Sequence, residues 1–93
     1  MATVRFTKHL IRFFPDLANQ STIEAQGDTV AGVVAALDEQ YPGLAAYVVD
    51  EQGALRKHVN IFLDDELIHD RQKLQDPVTA DDRIYIFQAL SGG

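Results

Sequence analysis

Apolar and polar residues alternate in several short stretches of the chain, which is the period of strands that bury one face. In the first stretch, TVRFTK, Val4 and Phe6 fall on one side and Arg5 and Thr7 on the other. Residues that favour turns separate this stretch from the later ones. The alternation predicts five strands, over residues 3–8, 21–26, 59–63, 67–68 and 83–89.

One segment between the second and third strands has the helical period instead. Asp28 or Thr29 can cap a helix there through a side-chain oxygen. The apolar positions that follow recur at i, i+3, i+4 and i+7, at Val30, Val33, Val34 and Leu37. The sequence Tyr41-Pro42-Gly43 ends this helix because proline cannot continue its hydrogen bonding, and residues 44–49 predict one further helical turn.

The predicted order is strand, strand, helix, and three more strands. This order fits an α+β architecture, in which a mixed five-stranded sheet packs on one main helix within a single domain, residues 1–93. A right-handed crossover would place the first strand beside the fifth in the centre of the sheet. The last strand then leads out of the sheet, and residues 90–93 remain as an extended tail.

Charge and composition narrow the possible partners. Of the 93 residues, 46% are hydrophobic and 24% charged, which is ordinary for a chain with one modest core. The net charge of −6 argues against nucleic acid and favours a protein partner with a basic docking surface. Apolar runs are too short to span a bilayer and the first residues do not resemble a signal segment, so we expect a cytoplasmic protein without membrane contact.

Two unusual features concern chemistry. The chain has no cysteine, which excludes thiolate metal sites, disulfides and any sulfur carried on a side-chain thiol. It also ends on Gly92-Gly93, directly after Leu90 and Ser91. Glycine loses more conformational freedom on folding than any other residue, so two terminal glycines add no stability. Either this end is idle, or the end itself is the functional part.

Alternation along the last strand predicts an exposed apolar surface. If Ile84 and Ile86 point into the core, Tyr85 and Phe87 point to the other face of the sheet. The members of this predicted docking surface are Phe62, Leu67, Tyr85 and Phe87. The alternative is that loop residues such as Phe13 or Phe14 cover part of it.

Several motifs together resemble one known family. A helix reading TV-x-x-VV-x-x-L is followed by YPGL, then by LRKHVNIFLDDE, then by an aromatic strand that ends in Gly-Gly. This combination resembles the ubiquitin-like sulfur-carrier family, which has the β-grasp fold. Within that family the chain is similar to the small subunit of molybdopterin synthase and to carriers that feed thiazole or cysteine synthesis.

The resemblance implies a carrier or co-substrate rather than an enzyme. In the family, a ubiquitin-activating-type enzyme uses ATP to adenylate the terminal carboxylate, which becomes a thiocarboxylate that donates sulfur to a synthase or large subunit. Gly93 would be the reacting residue and Gly92 its required neighbour, with no permanently bound cofactor or metal. Phe87 and Leu67 match interface positions of the family, and Leu90 and Ser91 complete the arm.

Two other functions stay open at this point. The chain could be a protein modifier that is conjugated to lysines through Gly93, or an interaction module whose glycines are idle. The sulfur acceptor is also open, and so is the oligomeric state.

The remaining polar clusters predict little chemistry. His9, His58 and His69 share no metal-ligand spacing. The basic group Arg56-Lys57-His58 reads as a solvated loop, or as a contact for an acidic patch on a partner.

Overall fold

In a computed structural model, residues 2–7 and 22–88 are described, and they form one mixed sheet with two helices on one face. The strand order is β2-β1-β5-β3-β4. The bounds are β1 Ala2–Phe6, β2 Ile23–Ala25, β3 Val59–Leu63, β4 Glu66–Leu67 and β5 Arg83–Gln88.

The centre of the sheet is the pair β1 and β5. These two strands are parallel, with Val4 opposite Ile84 and Phe6 opposite Ile86. The other neighbouring strands pair antiparallel, β2 with β1, β3 with β5, and β4 with β3. The predicted α+β fold with β1 beside β5 is therefore confirmed, and β5 is enclosed by strands on both sides.

The main helix, α1, runs over Val30–Gln40. The Thr29 hydroxyl accepts a hydrogen bond from the Gly32 N–H at 3.1 Å, which makes Thr29 the cap. Its four predicted apolar positions are buried. The turn after it places Gly43 at φ 96°, a conformation that glycine adopts at low cost, and starts the short helix α2, Leu44–Val48.

The core lies between α1 and one face of the sheet. Its sheet side is aliphatic and almost fully buried, and comprises Ala2, Val4, Ile23, Ala25, Val59, Ile61, Ile84 and Ile86. Leu74 and Val78, in the irregular segment before β5, close the core. A burial of this extent gives the domain most of its stability.

The strand ends differ from the prediction by one or two residues. The fourth strand is Glu66–Leu67 rather than 67–68, and Ile68 is instead buried while its N–H donates to the Ile61 carbonyl at 3.0 Å. Leu63 packs against the core but is only half-buried, because it lies near the sheet edge beside β4. Among residues 2–7 and 22–88, no helix is long and apolar enough to cross a membrane.

Candidate functional site

On the face of the sheet away from α1, one row of side chains crosses the strands. Leu67 of β4 lies opposite Phe62 of β3, Phe62 lies opposite Tyr85 of β5, and Tyr85 lies opposite Arg5 of β1. Phe87 follows two residues after Tyr85 on the same side of β5, since alternate residues of a strand share a face. We call Phe62, Leu67, Tyr85 and Phe87 the aromatic face.

The rings of the aromatic face contact one another. Phe62 and Tyr85 stack with ring centroids 6.4 Å apart at 28°, and Tyr85 meets Phe87 edge-on with centroids 6.2 Å apart. Both geometries are favourable arrangements of aromatic pairs. Because the rings shield one another, Phe62 and Tyr85 are half-buried, whereas Leu67 stays 50% exposed and Phe87 37%.

The four residues predicted for a docking surface are thus brought together on one face. The other predicted site residues, Leu90, Ser91, Gly92 and Gly93, lie outside the described residues. Phe13 and Phe14 lie outside them too, so the alternative that these loop residues cover part of the aromatic face stays a hypothesis.

One end of the aromatic face borders a shallow cleft of mixed charge. The cleft has a volume of about 540 Å³. Two arginines line it, Arg5 and Arg83, together with two aspartates of the β3–β4 turn, Asp64 and Asp65. Phe62 and Tyr85 also line it. The Asp64 carboxylate accepts a hydrogen bond from the Arg83 N–H at 3.0 Å. Opposite charges at this end largely balance one another.

The other end of the aromatic face is where β5 leads toward the C-terminal residues. Gln88, the last described residue, lies opposite Val59 in the antiparallel pair of β5 with β3. The chain therefore leaves the described region beside Lys57 and His58, which directly precede β3. We call this place the tail root.

A guanidinium group that the sequence patterns did not single out fixes the tail root. The Arg71 side chain donates to the Asn60 side-chain oxygen and to the carbonyls of Arg56 and Val59, each at 2.9 Å. A planar guanidinium suits such fixed multiple donation. Contacts of this kind join residues far apart in sequence, so neither periodicity nor a local motif could have indicated Arg71.

The Asp70 carboxyl lies in a turn where backbone groups stabilise its charge. Three backbone N–H groups, the Lys73 N–H foremost, donate to Asp70 and hold the pKa of its carboxyl below the ordinary 3.8. This aspartate stabilises a turn away from the aromatic face. Among the described ranges, 2–7 and 22–88, no three His, Cys, Asp or Glu side chains are grouped to hold a metal ion.

Comparison with known proteins identifies the family. The profile of the ThiS family matches residues 4–93, which includes the terminal glycines. The chain belongs to the ThiS family. A curated relative, the sulfur carrier protein CysO of Mycobacterium tuberculosis, is 30% identical over 81 residues, covering 85% of this chain and 87% of the relative.

Solved structures agree on the fold. The crystal structure of Mycobacterium tuberculosis CysO matches with a TM-score of 0.82 and 27% identity, over 97% of this chain and 100% of that one. A chain of the Amycolatopsis orientalis BexX/CysO complex has a TM-score of 0.83 at 24% identity, with both chains fully covered. Small archaeal modifier protein 1 (SAMP1) of Haloferax volcanii has a TM-score of 0.72 at 25% identity, over 99% and 98%.

These likenesses confirm the resemblance found in the sequence. The ThiS-family chain is a ubiquitin-like β-grasp protein and a sulfur carrier rather than an enzyme. Membership of the family implies sulfur carried covalently at the C-terminus, an activating enzyme, and a partner that accepts the sulfur.

Proposed function

We propose that the Gly93 carboxylate is the group that carries the sulfur, and that a partner enzyme activates it with ATP. The observation that carries this proposal is the family match, which extends through Gly92 and Gly93 at the end of a cysteine-free chain. With no thiol on any side chain, a terminal acyl group is the place left to hold transferable sulfur.

The chemistry explains the need for ATP. A carboxylate resists nucleophiles, so its oxygen first attacks the α-phosphorus of ATP and releases pyrophosphate. Hydrosulfide then attacks the acyl carbon of the adenylate, a C–S bond forms, the C–O bond to AMP breaks, and AMP leaves. Splitting one difficult displacement into two easier ones is the usual gain of such an intermediate. The product is the Gly93 thiocarboxylate, and the ATP belongs to the partner.

The terminal glycines suit delivery into another protein. Gly92 and Gly93 have no Cβ, so their backbone fits a narrow channel and adopts φ/ψ values closed to other residues. Leu90 and Ser91 complete the arm that spans from the sheet to the reaction site. Ordering this arm costs conformational entropy, which contacts elsewhere must offset.

The aromatic face is the part of the described structure best suited to supply those contacts. It lies on the same strand, β5, that leads to the tail, and Phe87 is near the tail root. Exposed aromatic side chains grouped in this way are typical anchors of protein interfaces. We assign Phe87, Tyr85, Leu67 and Phe62 to docking of the activating enzyme and of the sulfur-accepting synthase, in the cytoplasm.

A mass measurement tests the proposal. The chain is incubated with its cognate adenylating enzyme, ATP and sulfide, and the intact mass is recorded. We expect the gain that replaces one oxygen by sulfur, located at Gly93 by fragmentation. The matched control lacks Gly93 and should keep its fold but gain nothing. The enzyme is shown to be active on another family member. If the full-length chain then gains no mass with that enzyme, the proposal fails.

Protein modification is the second candidate function. It is favoured by the similarity of the fold to a protein that is itself described as a modifier, SAMP1. Conjugation would use the same adenylate, with a lysine amine as the nucleophile. Trypsin cleaves this chain last after Arg83, so conjugated lysines would carry the remnant 84–93. Peptide mass spectrometry of cell extracts that finds thiocarboxylate but never this remnant would dismiss the modifier function.

A further inference from the structure

Basic side chains at the tail root stand apart from the acidic character of the chain. The net charge is −6, yet the residues beside the exit of β5 are Lys57 and His58, both exposed. At the opposite end of the aromatic face, Arg5 and Arg83 share their cleft with Asp64 and Asp65. The aromatic face therefore has one charge-balanced end and one basic end, and the basic end is the tail root.

The basic end is held in place rather than loosely attached. Arg71 fixes the backbone on both sides of Lys57 and His58 through the carbonyls of Arg56 and Val59. The Arg71 carbonyl in turn accepts from the Leu55 N–H at 2.7 Å. A preorganised loop loses little entropy when a partner binds it.

Neither basic side chain is used inside the described structure. Within residues 2–7 and 22–88, no hydrogen bond or ion pair holds the side chain of Lys57 or His58. Arg56 differs, because its Nε donates to the Ala46 carbonyl at 2.8 Å and it lines a cleft with Asp50 and Glu51. Unlike Arg56, Lys57 and His58 therefore have basic side chains that no described residue engages.

We propose that Lys57 and His58 bind carboxylate side chains of the activating enzyme, at the entrance of the site that receives the tail. This inference rests on the proposed function. Opposite charges at such an entrance would orient the encounter so that the tail, rather than another part of an acidic chain, meets the site.

Distance favours protein carboxylates over the phosphates of ATP as the bound groups. Five residues, 89–93, separate the tail root from the reacting carboxyl. Fully extended, five residues span about 17 Å. A lysine side chain at the tail root is too short to reach a nucleotide at the far end of an extended arm, but it can reach the protein surface around the entrance.

Direct binding to the cognate adenylating enzyme, measured by calorimetry without ATP, tests the inference separately from sulfur transfer. We expect Lys57→Glu to weaken binding by about 5- to 20-fold, and by less in high salt, because an attraction becomes a repulsion. Lys57→Gln should weaken it by about 2- to 5-fold. The matched control is Ala35→Glu, which changes the net charge by one unit as Lys57→Gln does. Ala35 lies on the exposed side of α1, remote from the aromatic face, so the affinity of this variant should stay within about 2-fold of the natural chain.

Three results would overturn the inference. In the first, Lys57→Glu binds as tightly as the natural chain. In the second, Ala35→Glu weakens binding as much as Lys57→Gln, which would show an effect of net charge alone. A rise in the KM for ATP with unchanged affinity for the enzyme would assign Lys57 to the nucleotide and also overturn it. If the natural chain binds but gains no sulfur, the proposed function fails while the role of Lys57 is still decided by its variants.

Discussion

The two faces of the sheet use the same strands for different purposes. Along β5, Ile84 and Ile86 are each 1% exposed on the face covered by α1, whereas Phe87 on the other face is 37% exposed. The covered face is aliphatic, and the opposite face is aromatic with arginine beside it. We infer that stability comes from the side of the sheet that α1 covers, and we propose that recognition uses the other side, with β5 contributing to both.

The largest expected effect comes from the covered face. Ile86 packs at the centre of the sheet, opposite Phe6 on one side and Ile61 on the other. Ile86→Ala removes buried methyl groups and leaves a cavity, so we expect a loss of about 2–4 kcal/mol in the free energy of unfolding. Urea denaturation measures it, with Ile86→Val, expected to lose about 0.5–1.5 kcal/mol, as the graded control. A loss under half a kcal/mol for Ile86→Ala would contradict this division of the faces.

The neighbouring residue should respond in the opposite way. Phe87→Ala is expected to weaken binding to the adenylating enzyme by about 10- to 100-fold, the range of an aromatic anchor, with little change in stability. Tyr47→Ala is the matched control, since Tyr47 of α2 is also 37% exposed but lies away from the aromatic face. Equal losses of affinity in the two variants would show that the aromatic face has no special role.

A smaller loss of affinity is expected at the edge of the aromatic face. Leu67 is half exposed on the two-residue strand β4, so Leu67→Ser should change the free energy of unfolding by no more than about 0.5 kcal/mol. Affinity for the adenylating enzyme should fall by about 3- to 10-fold, because less apolar area is removed from water on binding. Calorimetry measures the affinity of Leu67→Ser beside that of Glu66→Gln, a variant of the adjacent exposed residue, which should bind normally. If Leu67→Ser binds normally too, the docking surface ends at Phe62.

The smallest expected effect is on the free energy of unfolding at acidic pH. It concerns Asp70, in the segment that closes the covered face. Hydrogen bonds from backbone N–H groups, the Lys73 N–H first, lower the pKa of Asp70 in the folded chain. Its carboxylate therefore stabilises the fold at any pH above 3.8, the pKa of the unfolded chain. That contribution disappears as the pH falls from there through the lower folded value. Asp70→Asn should therefore lose less stability than the natural chain on acidification. Denaturation curves between pH 6 and pH 2 that run parallel for both chains would contradict this assignment.

Periodicity predicted the parts of the molecule that depend on regular burial. The helix with Val33 and Leu37 inward, and the separation of Ile86 from Phe87, both follow from repeat lengths that sterics impose on every chain. For the same reason, the sequence predicted that the residues of the aromatic face share one face of the sheet. Their direct contacts follow because β5 pairs with β3.

Irregular polar contacts were not predictable in this way. The buried carboxylate of Asp76 accepts from the N–H groups of His69 and Asp70, each at 2.8 Å, and nothing in the sequence distinguishes Asp76 from a solvated loop residue. The Arg71 contacts at the tail root belong to the same class. Such bonds satisfy backbone groups left over by the particular path of a loop, and that path is set only when the whole domain packs.

Competition between chains tests most directly the claim that the folded body docks and the terminal carboxyl reacts. A chain shortened to residues 1–89 should inhibit sulfur loading of the full-length chain competitively, while gaining no sulfur itself. The same shortened chain with Phe87→Ala should inhibit at least about 10-fold less well, since the aromatic anchor is lost. Failure of the shortened chain to compete, with its fold intact by circular dichroism, would show that the enzyme recognises the tail alone and would contradict the account.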